Sequence, residues 1–176
     1  MLLVDGKQVG VEAPIRGCIR VGLRVALVFV VAEEMNLVFH DRAAEGPADL
    51  LIRIGKHAFC NRIRGVELVV LAGFMRVLKA PALEAFPRRI LNIHPSLLPK
   101  FPGLEAWKQA LVAGESVTGC TVHYVDEKID HGDVIAQREV RILPNDTPES
   151  LHARIQIAEH ELYPTAINKV CRELSE

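Results

Sequence analysis

Apolar and polar positions change their spacing several times along this chain of 176 residues. Arg24–Val31 (RVALVFVV) is continuous and rich in β-branched residues, the pattern of a buried strand. Asn36–His40 suits a second, shorter strand, and Asp49–Ile63 suits a helix whose apolar face is broken by Gly55. Glycine is frequent before residue 65 and helix-capping residues are scarce, so local signals there disagree. From Val66 onward they agree. Glu67–Ala72 reads as a buried strand stopped by Gly73, and Pro81–Phe86 as a short helix with proline in its first turn. Arg89–His94 reads as a strand halted by Pro95, and Leu104–Ala113 as a helix closed by Gly114. Gly119–Val125 and Val134–Ile142 alternate as strands do. Thr147 is placed to cap a last helix with Pro148 at its first position, and Pro164 is expected to kink or break it.

Strands alternating with helices predict an α/β domain with a mostly parallel sheet. Val134–Ile142 is expected to pair antiparallel, because only a short loop precedes it. Ligands of such sheets bind beyond the carboxyl ends of the strands. That rule places Gly73–Leu78, Asn92–Ser96 and Asp126–Asp133 on one rim.

Composition narrows the function. Hydrophobic residues make up 49% and charged residues 24%, the mix of a soluble globular domain. Twenty-one Lys and Arg against 22 Asp and Glu leave a net charge of −1, which argues against a nucleic-acid partner. The longest apolar stretch, Val25–Ala32, is far short of the roughly 20 residues of a membrane span. No signal peptide is read in Met1–Gly10, which carries Asp5 and Lys7, so the expected location is cytoplasmic with no membrane partner. Cys18, Cys60, Cys120 and Cys171 form no CxxC pair and are expected to be free thiols.

Candidate chemistry concentrates after residue 90. Asn92 and His94 alternate along one strand, so their side chains share a face. An amide and an imidazole side by side suit a reaction that builds charge on a carbonyl oxygen. The same pair also fits an amide that bonds the following loop and a histidine packed beside it. In Asp126–Gly132 (DEKIDHG), Asp130 is the carboxylate that could hold His94 protonated, and spacing alone fits a solvated turn equally well. His94, His123, Asp130 and His131 could also form a metal shell, although no HxH or HxxxH spacing supports one. No GxGxxG, Walker or G-x-S-x-G sequence is present.

Four stretches resemble the glycinamide ribonucleotide formyltransferase family, folate-dependent enzymes of purine synthesis. They are VVLAGFMRVL (Val69–Leu78), ILNIHPSLLPKFPGL (Ile90–Leu104), GCTVHYVDEKIDHGDVIAQ (Gly119–Gln137) and DTPESLHARIQIAEHELYP (Asp146–Pro164). The resemblance implies a Rossmann-like formyltransferase fold. It implies transfer of a formyl group from 10-formyltetrahydrofolate, as co-substrate, to the amine of 5'-phosphoribosylglycinamide, with no metal. It assigns catalysis to Asn92, His94 and Asp130, and sets His123 near them. It assigns folate binding to Met75, Arg76, Val77, Leu78 and Asn92, and to Asp126, Glu127, Lys128, Ile129 and Asp130. It assigns contact with the ribonucleotide to Gln156, Ile157, Ala158 and Glu159. The implied partners are small molecules, and the state a monomer or homodimer.

The likeness covers residues 66–176, the catalytic and folate-binding portion. The family opens with a strand and a GSGSN-type loop that binds the substrate phosphate, whereas here RVALVFVV runs into Ala-Glu-Glu-Met-Asn. Residues 1–65 read either as a divergent segment of the same domain or as the replacement of a lost beginning. The resemblance leaves two other outcomes: a formyltetrahydrofolate hydrolase, against which Pro95 and Leu97 argue, and an inactive folate-binding remnant without the phosphate loop.

Overall fold

The apolar runs and their Gly and Pro boundaries become the elements of a computed structural model. It describes residues 66–74 and 77–176 in full, together with the backbone of four N-terminal strands. Those strands are β1 (Leu2–Val4), β2 (Lys7–Val9), β3 (Val25–Val31) and β4 (Glu34–His40). There follow β5 (Leu68–Ala72), α1 (Ala80–Ala85), β6 (Ile90–His94), α2 (Ala106–Val112), β7 (Val117–Tyr124), β8 (Val134–Arg141) and α3 (Pro148–Glu173). The helix expected over Asp49–Ile63 lies outside the described residues.

β1 and β2 form an antiparallel pair, and the other six strands form one sheet in the order β4-β3-β5-β6-β7-β8. The parallel arrangement expected of the sheet holds for β3, β5 and β6. β4 pairs antiparallel with β3, β7 with β6 and β8 with β7. The β7–β8 pairing is the one that the short connection requires.

Period-two alternation divides the side chains of β5, β6 and β7 between two faces. Leu68, Val70, Leu91, Cys120 and Val122 face α3 and are buried against Leu151, Ile155, Leu162, Ile167 and Val170. Val69, Leu71 and Ile90 face the other side and pack with Phe86. Asn92 and His94 continue the Ile90 face, so the candidate site and α3 lie on opposite sides of β6.

α3 begins as its sequence requires. Thr147 Oγ1 accepts from Ser150 N at 3.2 Å, and Ser150 Oγ accepts from Thr147 N at 3.0 Å, a reciprocal cap. The expected break at Pro164 does not occur: the helix runs on to Glu173. Proline in a helix interior costs about 3 kcal/mol. Leu162 and Tyr163 before it, and Ala166, Ile167 and Val170 after it, are all buried and offset that cost by packing on the sheet. Tyr163 also donates its hydroxyl to Leu71 O at 2.6 Å, tying the helix to the end of β5. α2 starts at Ala106 rather than Leu104 because Glu105 has φ 53°, a left-handed conformation that cannot extend a helix.

Cys120 is a buried free thiol, whereas Cys171 is disulfide-bonded, which corrects the expectation of four free thiols. Cysteines far apart in sequence carry no spacing signal for pairing. Among the described residues, no helix is long and apolar enough to cross a membrane.

Candidate active site

β6 delivers Asn92 and His94 to one face, and the proline loop that follows turns back over them. That loop is pinned to β7: Thr121 Oγ1 donates to Ser96 O at 2.7 Å and accepts from Leu98 N at 3.0 Å. Gln137 on β8 donates to Leu98 O at 2.8 Å. The loop therefore presents two backbone groups to the site at fixed positions. Phe101 O meets His94 Nε2 at 2.8 Å, and Gly103 N donates to Asp130 Oδ2 at 2.8 Å.

The segment carrying Asp130 does not share the rim on which the strand-end rule placed it. β7 runs antiparallel to β6, so its last residues leave the sheet at the far end of β6 from His94, where Val125 N donates to Ile90 O at 2.9 Å. The strand-end rule holds for parallel strands, and this one is reversed. Residues 126–130 instead return across the sheet face and bring Asp130 Oδ2 to 3.2 Å from His94 Nδ1. Asp130 adopts φ 49°, a conformation that short polar side chains tolerate better than bulky ones.

Both ring nitrogens of His94 thus face acceptors, an arrangement that satisfies a doubly protonated ring. His94 and Asp130 are nearly excluded from water, with side chains 5% and 12% exposed. His123 completes the group. Burial pushes its pKa down, against opposing pulls from the Tyr124 carbonyl and Asp130, so the neutral ring is favoured. Its Nδ1 lies 2.8 Å from Tyr124 O and must carry the proton there, which leaves Nε2 as an acceptor. Asn92 Nδ2 lies 3.4 Å from that Nε2. The tautomer of His123 therefore orients the Asn92 amide. Asp130 Oδ1 is 3.7 Å from the same nitrogen, too far for a hydrogen bond.

Of the other expected site residues, Met75 and Arg76 lie outside the described residues. Val77 is exposed and Leu78 is packed against the Val69 cluster. Asp126 is turned partly inward, whereas Glu127, Lys128 and Ile129 are exposed. Burial would raise the Asp126 carboxyl, but hydrogen bonds from His131 and the Lys128 amide outweigh it and hold the group below the usual carboxylate range. On α3, Gln156 is half-buried, Ile157 is exposed and Ala158 joins the core. Burial pushes the Glu159 carboxyl up to about 7. Cys120, on the α3 face, is pushed up to about 12 by burial and is no nucleophile. Among the described residues, no three His, Cys, Asp or Glu side chains are arranged to hold a metal ion. The backbone of Phe101 and Gly103, and the pinning side chains Thr121 and Gln137, have no signature in the sequence beyond their place in the matching stretches.

The chain is 41% identical over 180 residues to the trifunctional purine biosynthetic protein adenosine-3 of Drosophila pseudoobscura pseudoobscura, covering 94% of this chain and 13% of that protein. So broad a match takes in much of the N-terminal segment. The phosphoribosylglycinamide formyltransferase of Bacillus subtilis is 49% identical over 109 residues, covering 62% of this chain and 56% of that enzyme. Among crystal structures, glycinamide ribonucleotide transformylase 1 from Symbiobacterium toebii superposes with a TM-score of 0.61 and 55% identity, covering 62% of this chain and 51% of that one. The chain thus spans about half the length of the single-function relatives it matches. The Formyl transferase family pattern matches residues 59–167, and with an α/β sheet that presents Asn92, His94 and Asp130 together, the chain belongs to the Formyl transferase family.

Proposed function

We propose that this chain transfers a formyl group from 10-formyltetrahydrofolate to the primary amine of 5'-phosphoribosylglycinamide. The observation that carries the reading is the convergence of Asn92, His94 and Asp130 into one largely buried unit. One N–H of Asn92 is directed to His123, and the other remains to donate to the formyl oxygen. His94 is held by Phe101 O through Nε2 and faces Asp130 Oδ2 through Nδ1, so a proton on Nδ1 is shared between that carboxylate and the reacting centre. As the amine nitrogen bonds to the formyl carbon, a tetrahedral intermediate forms and its oxygen is stabilised by these two donors. Asp130 accepts the proton released by the amine and relays it toward the folate nitrogen as the carbon–nitrogen bond to folate breaks. Written in this way, the transfer uses no metal and no covalent enzyme intermediate.

Val77 and Ile129, each 60% exposed on the loops assigned to folate, offer apolar surface to its ring system. We assign Met75, Arg76 and Leu78, with Asp126, Glu127 and Lys128, to the same co-substrate, and Gln156–Glu159 to the ribonucleotide. The partners of this reaction are small molecules, and we place it in the cytoplasm.

One observation favours a second reading. β3 and β4 form a hairpin whose register pairs Val31 with Glu34, so the chain turns straight back where the family places a glycine-rich loop and a helix. Among the described residues, no helix N-terminus follows β3 to bind an anion there. A folate site with weak ribonucleotide binding, acting as a hydrolase or as a binding remnant, follows from that reading. Folate product measured with and without the ribonucleotide separates the outcomes. Product formed only with the ribonucleotide supports transfer; product without it supports hydrolysis; folate binding without product supports a remnant. In a folded His94→Ala variant, turnover is expected to fall by about 10²–10⁴-fold, and a rate close to the original overturns the assigned role.

A further inference from the structure

We infer that His131 and Arg88 are positioning residues for Asp130, bracing from the solvent side the loop that carries it; the inference rests on the formyl-transfer reading. Among the described residues, Asp130 is tied to the rest of the site through His94 and the amide of Gly103, with His123 Nε2 3.7 Å from its Oδ1. The loop around it is largely exposed and is held by further contacts on two sides. On the near side, Asp126 Oδ1 accepts from Lys128 N at 2.9 Å, and its Oδ2 lies 2.9 Å from His131 Nδ1. This pair spans the loop, with Asp130 between its two members. On the far side, Asp133 Oδ2 accepts from Arg88 Nη1 at 2.5 Å, while Asp133 O accepts from Tyr124 N at 2.9 Å. The Arg88 guanidinium lies 4.8 Å over the Tyr124 ring, so it ties the loop exit to the strand that carries His123.

Among the described residues, the hydrogen bonds and ion pairs of His131 and Arg88 run to this loop, and none runs to Asn92, His94 or Asp130. Their effect on the reaction passes through the position of the Asp130 carboxylate. The Gly103 amide reports that position without any substrate, since its hydrogen bond ends on Asp130 Oδ2.

Hydrogen exchange at Gly103 in the whole chain, for H131A, R88A and the double variant, is the test. Both pairs are solvent-exposed, so each single change is expected to speed Gly103 exchange by about two- to fivefold, and the double change by more. The amides of Cys120 and Val122 are expected to keep their protection. Formyl transfer is expected to lose kcat with little change in KM for the ribonucleotide, and R88K, which keeps the ion pair, to restore most of the rate. Unchanged Gly103 exchange in the double variant overturns the inference. So does an equal rise at Cys120 and Val122, which means that the whole fold has loosened. If Gly103 responds as expected while the unaltered chain transfers no formyl group, the brace stands and the formyl-transfer reading fails.

Discussion

Replacing Gly132 with alanine puts a methyl group into space that backbone already fills. A Cβ built at this position falls 1.9 Å from Tyr124 O and 2.8 Å from its carbonyl carbon, against the 3.4 Å at which ordinary contact begins. The obstacle is main chain on β7, so no rotamer change relieves it. The loop must move away from the strand by more than an ångström, and Asp130 lies two residues before the clash. Overpacking of this kind costs about 1–3 kcal/mol, which lowers the melting temperature by about 2–12 °C in a chain of this size. The catalytic effect is expected to be larger, because a displacement of about 1 Å can cost 10²-fold in rate. Gly114→Ala is the control. Gly114 has φ 67° with nothing within 4 Å of the added Cβ, so its variant carries only the left-handed backbone penalty of about 1–2 kcal/mol. Thermal unfolding and formyl-transfer kinetics are measured on both. Gly132→Ala is expected to lose stability and about two orders of magnitude in rate, and Gly114→Ala to lose stability alone. A Gly132→Ala protein with the original melting temperature and rate refutes the steric reasoning.

Two further changes test the packing of α3. Tyr163→Phe removes a buried hydrogen bond to Leu71 O, at a cost of about 0.5–1.5 kcal/mol; an unchanged melting temperature contradicts the contact. Glu159 binds its proton up to about pH 7 in the folded chain but only up to about pH 4.3 when unfolded. The folded state then holds more protons than the unfolded state between those values, so stability falls as pH rises through that window. Glu159→Gln is expected to remove this loss, and urea midpoints of the two proteins that stay parallel from pH 4 to 8 contradict it.

The stretch from Leu68 onward was legible because its signals are local and agree. β-branched runs stop at Gly73 and Pro95, and Thr147-Pro148 opens a helix in the usual way. Pro164 misled because propensity is local, whereas the burial of Leu162, Tyr163 and Ile167 is not. Asn92 and His94 were visible as a pair from strand alternation alone. Asp130 was not, since its approach to His94 depends on a reversed β7 and a loop that crosses back over the sheet. Phe101 O and Gly103 N, the two backbone groups that fix the site, were invisible because every residue carries the same atoms there. The role of His123 needed its environment: only its burial and the nearby Tyr124 carbonyl select the tautomer that accepts from Asn92. The hairpin of β3 and β4 sharpened the sequence observation that no phosphate loop follows RVALVFVV.

The central claim is that His94 and Asp130 work as one unit on the formyl group. Single-turnover formyl transfer by His94→Ala, Asp130→Ala and the double variant tests it most directly, with folding of each checked by thermal unfolding. Residues that act together lose most of the rate at the first substitution. The double variant is therefore expected to be about as slow as the slower single variant. Losses that multiply, each variant reducing the rate independently of the other, contradict the account.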